Sequence, residues 1–465
     1  MDVNFRCPRV IVAGTNSGVG KTSVTLALVS ALRRRGLRVQ TFKVGPDYLD
    51  PTYLKVASGR PCYNLDGWMT GKAYVRNLFL EKATDADVAV IEGVMGLFDG
   101  SDPVDSSGST AEIAAWLDAP VLLVVNAHGV ARSLAAMVKG YAEFDPGLKI
   151  AGVIANHCGS ESHGQWLRES LDAFGLPSTL AALPRGAFAD LPSRHLGLVT
   201  ADTRSLPEDL LNGLAQTLEN HGRLDDILRI AQSAPALPGA GAPRSNPDKD
   251  SRLRVGLAYD EAFHFYYPDN LEALEAHGCQ LVSFSPLKDN ELPDELAAVY
   301  FGGGYPEEHA EALARNASMI ESVRRFVRTG KPVYAECGGL MYLAQGIECG
   351  NGERHCLVGL LPKWTRMLNR RKALSYVEVT LTRDSLFGKR GDRLRGHEFH
   401  YSELVGDPIE ERGWRQPYLV QRRRSDEATL EGFQNGSIVA SYVHAHFASR
   451  PGAVDHFVSA CGANA

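Results

Sequence analysis

The chain has 465 residues and a mass of 50.5 kDa, which exceeds a single typical core and predicts two or three domains. Its 44% hydrophobic and 22% charged residues fit an ordinary globular protein and exclude disordered, fibrous and disulfide-stapled classes. A net charge of −6 supplies no overall positive field for nucleic acid or an anionic membrane, so small-molecule partners are expected.

The sequence also bears on the cellular compartment. No apolar run approaches the roughly 18 residues of a membrane span, and the first residues lack the charged and apolar regions of a signal peptide. The eight cysteines include no C-x-x-C pair of the zinc or redox type. We therefore expect a cytoplasmic protein in which most cysteines are ordinary buried or surface thiols.

The first half of the chain alternates short apolar runs with amphipathic stretches. The runs are rich in Val and Ile, and the stretches between them have helical periodicity. Buried parallel strands joined by helices have this pattern. We predict strands at residues 10–13, 39–42, 88–91, 121–125 and 152–155. The sequence therefore predicts an α/β domain, a parallel sheet with flanking helices.

A change of composition separates this half from a second one. Residues 232–251 are rich in Ala, Pro, Gly and Ser without helical or strand periodicity, which indicates a linker. Beyond it the α/β rhythm restarts, and residues 353–402 have shorter alternating segments that predict an antiparallel edge or sheet extension. The strands of this half are predicted at 254–258, 280–284, 298–301 and 332–335. We predict domains at 1–231 and 252–465.

A glycine-rich segment at residues 14–22 follows the first predicted strand and opens a helical stretch, which is the context of a phosphate loop. The residues predicted to bind ATP phosphates are Gly18, Val19, Gly20, Lys21 and Thr22. Backbone N–H groups attract phosphate oxygens, the Lys21 ammonium reaches the terminal phosphates, and the Thr22 hydroxyl can bind magnesium. Thr15 stands where the usual first glycine would be, a variant that resembles the loop of dethiobiotin synthetase. A chance glycine-rich turn is the minority alternative.

Carboxylates follow two of the predicted strands and are expected at the same edge of the sheet. Glu92 ends the run 88–91, while Asp47 and Asp50 follow the run 39–42. Ligands bind outside the carboxyl ends of strands in open α/β sheets, and magnesium prefers oxygen ligands. The predicted metal ligands are therefore Thr22, Asp47 and Glu92. For each aspartate taken singly, a turn or helix-cap role is the alternative.

In the second half, a strand runs into a tight turn of small residues at Cys337. Such a turn exposes a thiol above the sheet, and the following helix is expected to lower the pKa of that thiol, as a nucleophile requires. Backbone N–H groups for an oxyanion are predicted at Gly303, Gly304 and Gly338. His444 ends a later strand and is the predicted general base. Taken alone, the cysteine or histidine would more often be a buried structural residue.

The glycine turn, the strand-end cysteine and the distal histidine occur in the chain order of a class I glutamine amidotransferase. Over nearly its full length the chain further resembles the cobyrinic acid a,c-diamide synthase family, in segments 43–51, 92–100, 303–307, 336–339, 396–402 and 441–447. The resemblance implies an N-terminal dethiobiotin synthetase-like P-loop domain and a C-terminal amidotransferase-like α/β domain. It implies ATP-dependent amidation of the a and c acetate side chains of a cobalt corrinoid through an acyl phosphate, with ammonia from glutamine, in cobalamin biosynthesis.

The resemblance also implies ligands and further site residues. ATP would be the cosubstrate and Mg²⁺ the cofactor, and a cobyrinic acid-type corrinoid and glutamine would be the partners. We expect a monomer or homodimer, and the sequence does not choose between them. Asn156 follows a strand where relatives of dethiobiotin synthetase hold adenine, with a turn role as the alternative. Leu49, Asp50 and Asp99 are expected to face the corrinoid carboxylates or the phosphorylated intermediate.

One departure from the amidotransferase pattern concerns the third member of the catalytic group. Class I enzymes usually carry a glutamate two residues after the catalytic histidine, whereas this chain has His446 there. A Cys–His dyad, or a third partner from elsewhere, is therefore expected. Position beside the thiol does not by itself assign the third role to Glu336.

Other substrates and classes remain open at the level of sequence. Relatives that act on hydrogenobyrinic acid or nickel sirohydrochlorin carry out the same reaction on other macrocycles. A P-loop ATPase switch or metallochaperone explains residues 14–22 and Glu92, but not Cys337 together with His444. A nonenzymatic corrinoid carrier is disfavoured, because the sequence has no Asp-x-His-x-x-Gly string. Glutamine hydrolysis distinguishes the ligase from both.

Overall fold

The computed structural model describes residues 4–189, 191, 193–194, 197–198, 206–239, 253–406, 413–423 and 425–463. The chain divides into two compact units, Met1–Pro243 and Arg244–Ala465. The division lies within the predicted linker at 232–251, of which residues 240–251 are outside the described residues. Within the described ranges, no helix is both long and apolar enough to cross a bilayer.

The first unit alternates strands and helices along the chain. Its strands are β1 (Asn4–Phe5), β2 (Arg9–Gly14), β3 (Val39–Val44), β4 (Tyr63–Leu65), β5 (Val88–Glu92), β6 (Val121–Asn126), β7 (Ile150–Cys158), β8 (Thr179–Pro184), β9 (Ser193–Arg194), β10 (Gly197–Leu198) and β11 (Leu237–Pro238). Its helices are α1 (Lys21–Arg34), α2 (Asp50–Ser58), α3 (Gly67–Lys82), α4 (Thr110–Trp116), α5 (Ser133–Phe144), α6 (Glu161–Ala173), α7 (Glu208–His221) and α8 (Leu224–Gln232).

Seven of these strands form one sheet in the order β4-β3-β5-β2-β6-β7-β8, and all its pairings are parallel. Both faces of the sheet carry a core: Ile11 and Ala13 pack into one, and Val10 and Val12 into the other. All six residues of β2 are therefore buried, which explains the continuous apolar run in the sequence. The predicted parallel α/β fold of this unit is confirmed.

The strand order places a ligand-binding edge at the middle of the sheet. The chain leaves β2 through α1 towards β3 on one side of β2, and β6 later joins β2 on the other side. Ligands of open α/β sheets bind at the carboxyl ends of strands beside such a reversal of order. The segments that follow β2, β3 and β5 at this edge contain most of the residues predicted to bind ATP and magnesium.

The end of the first unit differs from the sequence pattern. Helix α8 continues to Gln232, and β11 pairs with β1 in antiparallel register. Residues 232–239 therefore belong to the folded first unit, although their composition indicated the beginning of the linker. A strand of two residues is too short to produce the alternation from which strands are predicted.

The second unit contains more strand than helix. Its strands are β12 (Leu253–Ala258), β13 (Phe263–Phe265), β14 (Cys279–Phe284), β15 (Ala298–Phe301), β16 (Gly303–Gly304), β17 (Val333–Glu336), β18 (Ala344–Glu348), β19 (Arg354–Cys356), β20 (Leu361–Met367), β21 (Ala373–Leu381), β22 (Arg393–His400), β23 (Ser402–Val405), β24 (Tyr418–Arg422), β25 (Ala428–Glu431), β26 (Phe433–Asn435), β27 (Ile438–Ser441) and β28 (His444–Ala445). Its α-helices are α9 (Pro268–Ala276), α10 (Ala310–Arg315), α11 (Ala317–Arg328), α12 (Gly338–Leu343) and α13 (Ala453–Gly462).

The main sheet of this unit has the order β14-β12-β15-β17-β27-β26, parallel except for β26 at one edge. The predicted antiparallel segment at 353–402 is present, but it does not extend this sheet. Its strands enter a five-stranded sheet, β25-β24-β21-β22-β28, and a four-stranded sheet, β19-β18-β20-β23. They form separate sheets because β18 and β20 pair with each other and β21 pairs with β22 and β24.

A buried arginine ties β2 to distant parts of the first unit. The fully buried Arg9 guanidinium donates to the carbonyls of Leu117 at 2.6 Å, Pro235 at 2.7 Å, Cys7 at 3.1 Å and Asp118 at 3.4 Å. Burial lowers the pKa of Arg9 to about 10, so the cation persists at neutral pH. Such a buried cation is tolerated because its donors are satisfied.

We predict that Arg9→Met lowers the free energy of unfolding of the first unit by about 3 kcal/mol, because several buried carbonyls lose their donor. Calorimetric unfolding measures this change. Arg229→Met is the matched control, since the Arg229 side chain is 74% exposed and its loss should cost less than about 0.5 kcal/mol. Equal stability of the two variants would show that Arg9 does not support the fold.

Candidate active sites

The phosphate loop of the first unit lies between β2 and α1. Gly18 and Gly20 have φ values of 80° and 94°, a region that glycine occupies without steric cost, and α1 begins directly after Gly20. Gly20 provides no side-chain cap for the helix. Phosphate oxygens can therefore accept hydrogen bonds from the N–H groups at the start of α1.

Lys21 lies buried in this loop. Its Nζ donates to the carbonyl oxygens of Met95 at 2.6 Å and Asn16 at 3.1 Å. Burial lowers the pKa of Lys21, and the nearby Lys43 ammonium lowers it further. Both hydrogen-bond acceptors are neutral, so the charge of Lys21 is available to an anionic phosphate group.

Asn156, at β7, packs directly against the phosphate loop. Its Nδ2 donates to the carbonyl of Val19 at 2.9 Å, and a side chain at Gly20 would clash with the same nitrogen. The structure therefore brings Asn156 to the loop and gives it a bracing contact there. Its predicted contact with adenine stays a prediction.

The predicted metal ligands Thr22 and Glu92 meet at the strand ends. The Thr22 hydroxyl donates to Glu92 Oε1 at 2.7 Å. Glu92 is fully buried, and no donor within the described part of the chain bonds to its Oε2. Burial raises the pKa of Glu92 to about 7, although the Lys43 ammonium opposes this rise. A buried carboxylate oxygen without a donor is suited to a cation.

The donor set agrees with magnesium bound partly by substrate. Among the described residues, no three acidic, histidine or cysteine side chains converge as in an all-protein metal cage. Magnesium usually keeps waters and substrate phosphates as ligands and takes only one or two carboxylates from the protein. Thr22 and Glu92 would therefore suffice as protein ligands for an ion that also binds substrate phosphates, and their binding of magnesium stays a prediction.

Lys43, in β3, is a site residue for which the sequence suggested no role. Its buried Nζ lies 2.6 Å from Asp50 Oδ2, 2.9 Å from Glu92 Oε1 and 3.1 Å from the Gly93 carbonyl. Burial alone would lower the pKa of Lys43, but Asp50 and Glu92 raise it above its ordinary value. The signal in the sequence is a lysine inside a strand whose other five residues are uncharged, and all six residues of this strand are buried.

Asp47, Leu49 and Asp50 lie together at the start of α2. Asp47 Oδ1 accepts hydrogen bonds from the N–H groups of Leu49 at 2.8 Å and Asp50 at 3.0 Å, which is the capping role that the sequence left as the alternative. Burial raises the pKa of Asp47 to about 6, and the Asp50 charge contributes. The Asp50 carboxylate pairs with Lys43, and metal binding by Asp47 stays a prediction.

Asp99 belongs to a loop that contacts the phosphate loop. In this loop, residues 93–100, the N–H of Leu97 donates to the carbonyl of Gly14 at 2.8 Å. Asp99 is exposed, and its Oδ2 accepts a hydrogen bond from the Gly96 N–H at 2.9 Å. The structure thus places the Asp99 carboxylate beside the phosphate loop, where a ligand can reach it.

In the second unit, Cys337 lies at the turn between β17 and α12, with φ of 46° and ψ of −98°. A non-glycine residue with positive φ is strained, and such residues cluster at functional sites. The Cys337 N–H donates to the carbonyl of Ser441 at 2.7 Å. Ser441 ends β27, the parallel neighbour of β17 that leads to His444, so both predicted catalytic residues reach the same edge of the sheet.

Three glycines predicted to form the oxyanion site lie around these residues. A side chain at Gly303 would clash with the His444 ring, and a Cβ at Gly338 would lie 3.0 Å from the backbone nitrogen of Gly304. Close approach therefore requires glycine at these positions. The structure brings Gly303 to His444, and Gly304 to the turn that follows Cys337.

Burial keeps both predicted catalytic groups neutral at rest. It raises the pKa of the Cys337 thiol well above its ordinary value. It lowers the pKa of His444 well below its ordinary value, and the imidazole of His397 adds to this. The expected lowering of the thiol pKa is therefore wrong for the resting site, because α12 has only six residues and desolvation dominates. A neutral His444 can accept the thiol proton.

The motif at residues 396–402, which had no role derivable from the sequence, contacts both groups. The rings of His397 and His444 stack with centroids 4.9 Å apart and 14° between their planes. The Phe399 carbonyl lies 3.8 Å from Sγ of Cys337. The motif therefore forms one wall of the thiol site.

Glu336, directly before the thiol, is a second buried acid without a role from the sequence. Its Oε1 accepts hydrogen bonds from the Tyr334 hydroxyl at 2.7 Å and the Ala445 N–H at 3.1 Å, and its Oε2 accepts one from the Tyr300 hydroxyl at 2.9 Å. Burial raises the pKa of Glu336 to about 7, while these hydrogen bonds oppose the rise. The signal in the sequence is a glutamate at the end of a buried strand.

Two protein-family models match the chain. The model described as a CobQ/CobB/MinD/ParA nucleotide binding domain matches residues 10–199, and the CobB/CobQ-like glutamine amidotransferase domain matches residues 254–452. Among solved structures, a glutamine amidotransferase aligns with 45% of this chain and 98% of its own, with 21% identity and a TM-score of 0.33.

Curated relatives align with this chain over nearly its whole length. The cobyrinate a,c-diamide synthase of Syntrophotalea carbinolica is 58% identical over 98% of this chain and 99% of its own. Proteins with the same name from Leptospira interrogans and Salmonella typhimurium are 45% and 40% identical, over 99% and 97% of this chain and the same shares of their own. The chain therefore belongs to the cobyrinate a,c-diamide synthase family.

Proposed function

We propose that this chain is a cytoplasmic enzyme, a monomer or homodimer, that uses ATP and glutamine to amidate the a and c acetate carboxylates of cobyrinate in cobalamin biosynthesis. The name shared by the relatives supports the substrate, and the two family models support the use of nucleotide and glutamine. One observation carries the proposal: a single chain holds the Lys21 phosphate loop beside buried carboxylates and the strained Cys337 turn near His444. A switch ATPase would need only the first.

The first half of the reaction gives the carboxylate a leaving group. A carboxylate oxygen of the substrate attacks the γ-phosphorus of ATP, ADP leaves, and an acyl phosphate results. The Lys21 ammonium and the backbone N–H groups of the loop from Gly18 to Gly20 stabilise the negative charge of the transferring group. Ammonia then attacks the acyl carbon and displaces phosphate, which leaves the amide.

Thr22 and Glu92 would hold magnesium in this site, with Asp47 as a further ligand. When bound, the ion supplies positive charge that neutralises the phosphate oxygens of ATP. The Lys43 ammonium favours the ionised forms of Asp50 and Glu92 inside this buried site, and an ionised carboxylate is the form that binds a cation.

Further contacts with substrate are proposed at the same edge of the first sheet. Leu49 and Asp50 begin α2, and the exposed Asp99 lies in the loop against the phosphate loop. These residues are proposed to face the corrinoid carboxylate or the phosphorylated intermediate. Asn156, which braces the loop, is proposed to reach the adenine.

The second half of the reaction releases ammonia from glutamine. The Cys337 proton passes to His444, and the thiolate attacks the carboxamide carbon of glutamine. Backbone N–H groups of Gly303, Gly304 and Gly338 receive the oxyanion. His444 returns the proton to the departing ammonia, and a thioester remains. Water, deprotonated by His444, then hydrolyses the thioester to glutamate and restores the thiol.

Product mass tests the proposed substrate. The protein is incubated with ATP, magnesium, glutamine and one macrocycle at a time: cobyrinic acid, hydrogenobyrinic acid or nickel sirohydrochlorin. We expect two carboxyl groups of cobyrinic acid to become amides, with ADP, phosphate and glutamate formed in step. If only another macrocycle were amidated, that macrocycle would replace cobyrinic acid as the proposed substrate. ATP hydrolysis without glutamine hydrolysis would favour a switch ATPase or a metallochaperone.

We predict that Cys337→Ala separates the two half-reactions. Glutamine-dependent amidation should fall by at least about 10³-fold, because the thioester cannot form. Amidation with added ammonia should keep the wild-type rate, since carboxylate activation does not use the thiol. Amide formation from each nitrogen source is measured by product mass.

Lys21→Ala is the reciprocal control for this variant. It should abolish amidation from glutamine and from ammonia alike, because both routes need phosphoryl transfer. Normal ammonia-dependent turnover in Lys21→Ala would show that the phosphate loop has no role in phosphoryl transfer. A wild-type rate with glutamine in Cys337→Ala would show that the thiol is not the nucleophile.

We predict that Glu92→Gln and Asp47→Asn shift the magnesium activation curve to higher concentration and reduce synthetase turnover by at least about 10²-fold. Glutaminase activity should change less. Without magnesium, Glu92→Gln should be as stable as wild type or more stable at pH 8. Because the pKa of Glu92 is raised to about 7, its ionisation destabilises the folded state above the ordinary glutamate pKa, and the advantage of Gln disappears as pH falls below that value.

Thermal unfolding across pH and magnesium titration of turnover check both parts of this prediction. A variant that unfolds early, yet has wild-type magnesium dependence when folded, would identify the residue as a structural cap. This outcome is most informative for Asp47, whose Oδ1 already caps the start of α2.

A further inference from the structure

The position that usually holds the orienting acid of a class I amidotransferase is occupied differently here. Nε2 of His446 lies 3.2 Å from Oδ2 of Asp269 on α9, and both side chains are buried. The Tyr267 ring packs on His446 with centroids 4.8 Å apart. His446 is therefore engaged with residues at α9 and supplies no negative charge to His444.

A different carboxylate lies next to His444. Oε2 of Glu336 is 3.8 Å from Nδ1 of His444, and the two side chains are 2% and 1% exposed. Glu336 is the last residue of β17, and its Oε1 accepts a hydrogen bond from the Ala445 N–H. The Glu336 carboxylate thus lies beside the His444 ring and also accepts a hydrogen bond from the backbone N–H of Ala445, the residue after His444.

We propose that Glu336 is the positioning residue of the glutaminase site: it orients His444 through Nδ1 and stabilises the imidazolium that forms when Cys337 loses its proton. The inference rests on the proposed function, because it assigns a role within glutamine hydrolysis. The acid comes from the strand of the nucleophile and not from the segment that carries the histidine.

Two tyrosines fix the direction of this carboxylate. The Tyr300 hydroxyl donates to Oε2 of Glu336 at 2.9 Å, and the Tyr334 hydroxyl donates to Oε1 at 2.7 Å. Tyr300 and Tyr334 are register partners on the parallel strands β15 and β17. With donors on both oxygens, Oε2 stays on the side of His444. A charge fixed in advance stabilises a developing opposite charge without reorganisation.

During glutamine hydrolysis the His444 imidazole becomes positively charged, although its burial opposes that charge. Burial lowers the pKa of His444 well below its ordinary value. Besides the Cys337 thiol, the titratable groups that face His444 or Glu336 among the described residues are four tyrosines and three histidines: Tyr266, Tyr300, Tyr334, Tyr418, His397, His400 and His446. Burial raises the pKa values of all four tyrosines well above the ordinary tyrosine value, so none becomes an anion near neutral pH. Within this group, Glu336 is the residue able to compensate the imidazolium.

Glu336→Gln in the full chain tests this role, with glutaminase activity measured in the presence of ATP, magnesium and cobyrinic acid. Gln keeps the volume and one oxygen that accepts from Tyr334. We expect kcat for glutamine hydrolysis to fall about 10²-fold with an unchanged KM, because the lost interaction forms in the transition state. Ammonia-dependent amidation should keep its wild-type rate.

The pH profile distinguishes positioning from structural support. In the wild type, the acid limb of kcat/KM reports the coupled titration of Glu336 and His444. In Glu336→Gln the carboxylate no longer titrates, and the variant lacks the anion that, 3.8 Å from Nδ1, would favour the protonated form of His444. The acid limb should therefore move to lower pH while the maximum falls. A merely damaged fold lowers the maximum and leaves the limb in place.

Alkylation of Cys337 by iodoacetamide, followed by peptide mass, provides a readout without glutamine. Alkylation should be slower in Glu336→Gln, because less thiolate–imidazolium pair forms. The exposed Cys356 is the internal control and should react equally in both proteins. Two further variants bracket the effect: Tyr300→Phe should cause a smaller loss, and Asp269→Asn should leave the acid limb in place.

A wild-type pH profile and alkylation rate in Glu336→Gln would overturn the proposal, as would a displaced acid limb in Asp269→Asn alone. Failure of the wild-type protein to amidate any macrocycle with ammonia would instead overturn the proposed function. In that case the alkylation rates of Cys337 still decide whether Glu336 acts on His444.

Discussion

Mutual neutralisation of buried charges at the carboxyl edge of the first sheet is the constraint on which the proposed ATP site depends. Lys43 can lie inside a strand buried on both faces because Asp50 and Glu92 pair with its ammonium, and an unpaired ammonium there would lose its proton. The acids in turn would bind protons without a nearby cation. Thr22 donates a hydrogen bond to Glu92, and the Lys21 ammonium lies nearby. A divalent cation can therefore enter a site in which the lysine and carboxylate charges already compensate one another.

In the second unit, the free-energy cost of burying charge is avoided because the buried catalytic groups are neutral at rest. Its thiol and imidazole are neutral when buried, and charge appears only when a proton moves from Cys337 to His444. A buried neutral thiol reacts slowly with oxidants and alkylating agents until it loses its proton. Reactivity therefore depends on what surrounds the pair when charge appears: the glycine turn, the wall formed by residues 396–402, and the carboxylate of Glu336.

Sequence patterns predicted the features that depend on neighbouring residues. The strand predicted at 298–301 has those bounds in the structure, because residues buried on both faces form a continuous apolar run. Thr22 and Glu92 were predicted as metal ligands because the phosphate-loop spacing and a strand-end acid are local signals. The structure brings the two side chains into contact, and their binding of a metal stays a prediction. Lys43 and Glu336 could not be assigned, since a buried charged residue is explained by partners that are distant in sequence, such as Glu92 for Lys43 and Tyr300 for Glu336. Register and sheet membership, rather than composition, decide which acid lies beside which base.

Arg9 has a consequence for how the first unit forms during synthesis. Its hydrogen bond to the Pro235 carbonyl spans 226 residues, and β1 pairs with β11 at the far end of the same unit. Ribosomes add about 5–20 residues per second, so the strand that leads into the phosphate loop waits for its last partners until the whole unit has been translated. Contacts of such separation slow folding. A chain that stops before residue 235 therefore leaves the Arg9 guanidinium without one of its hydrogen-bond acceptors.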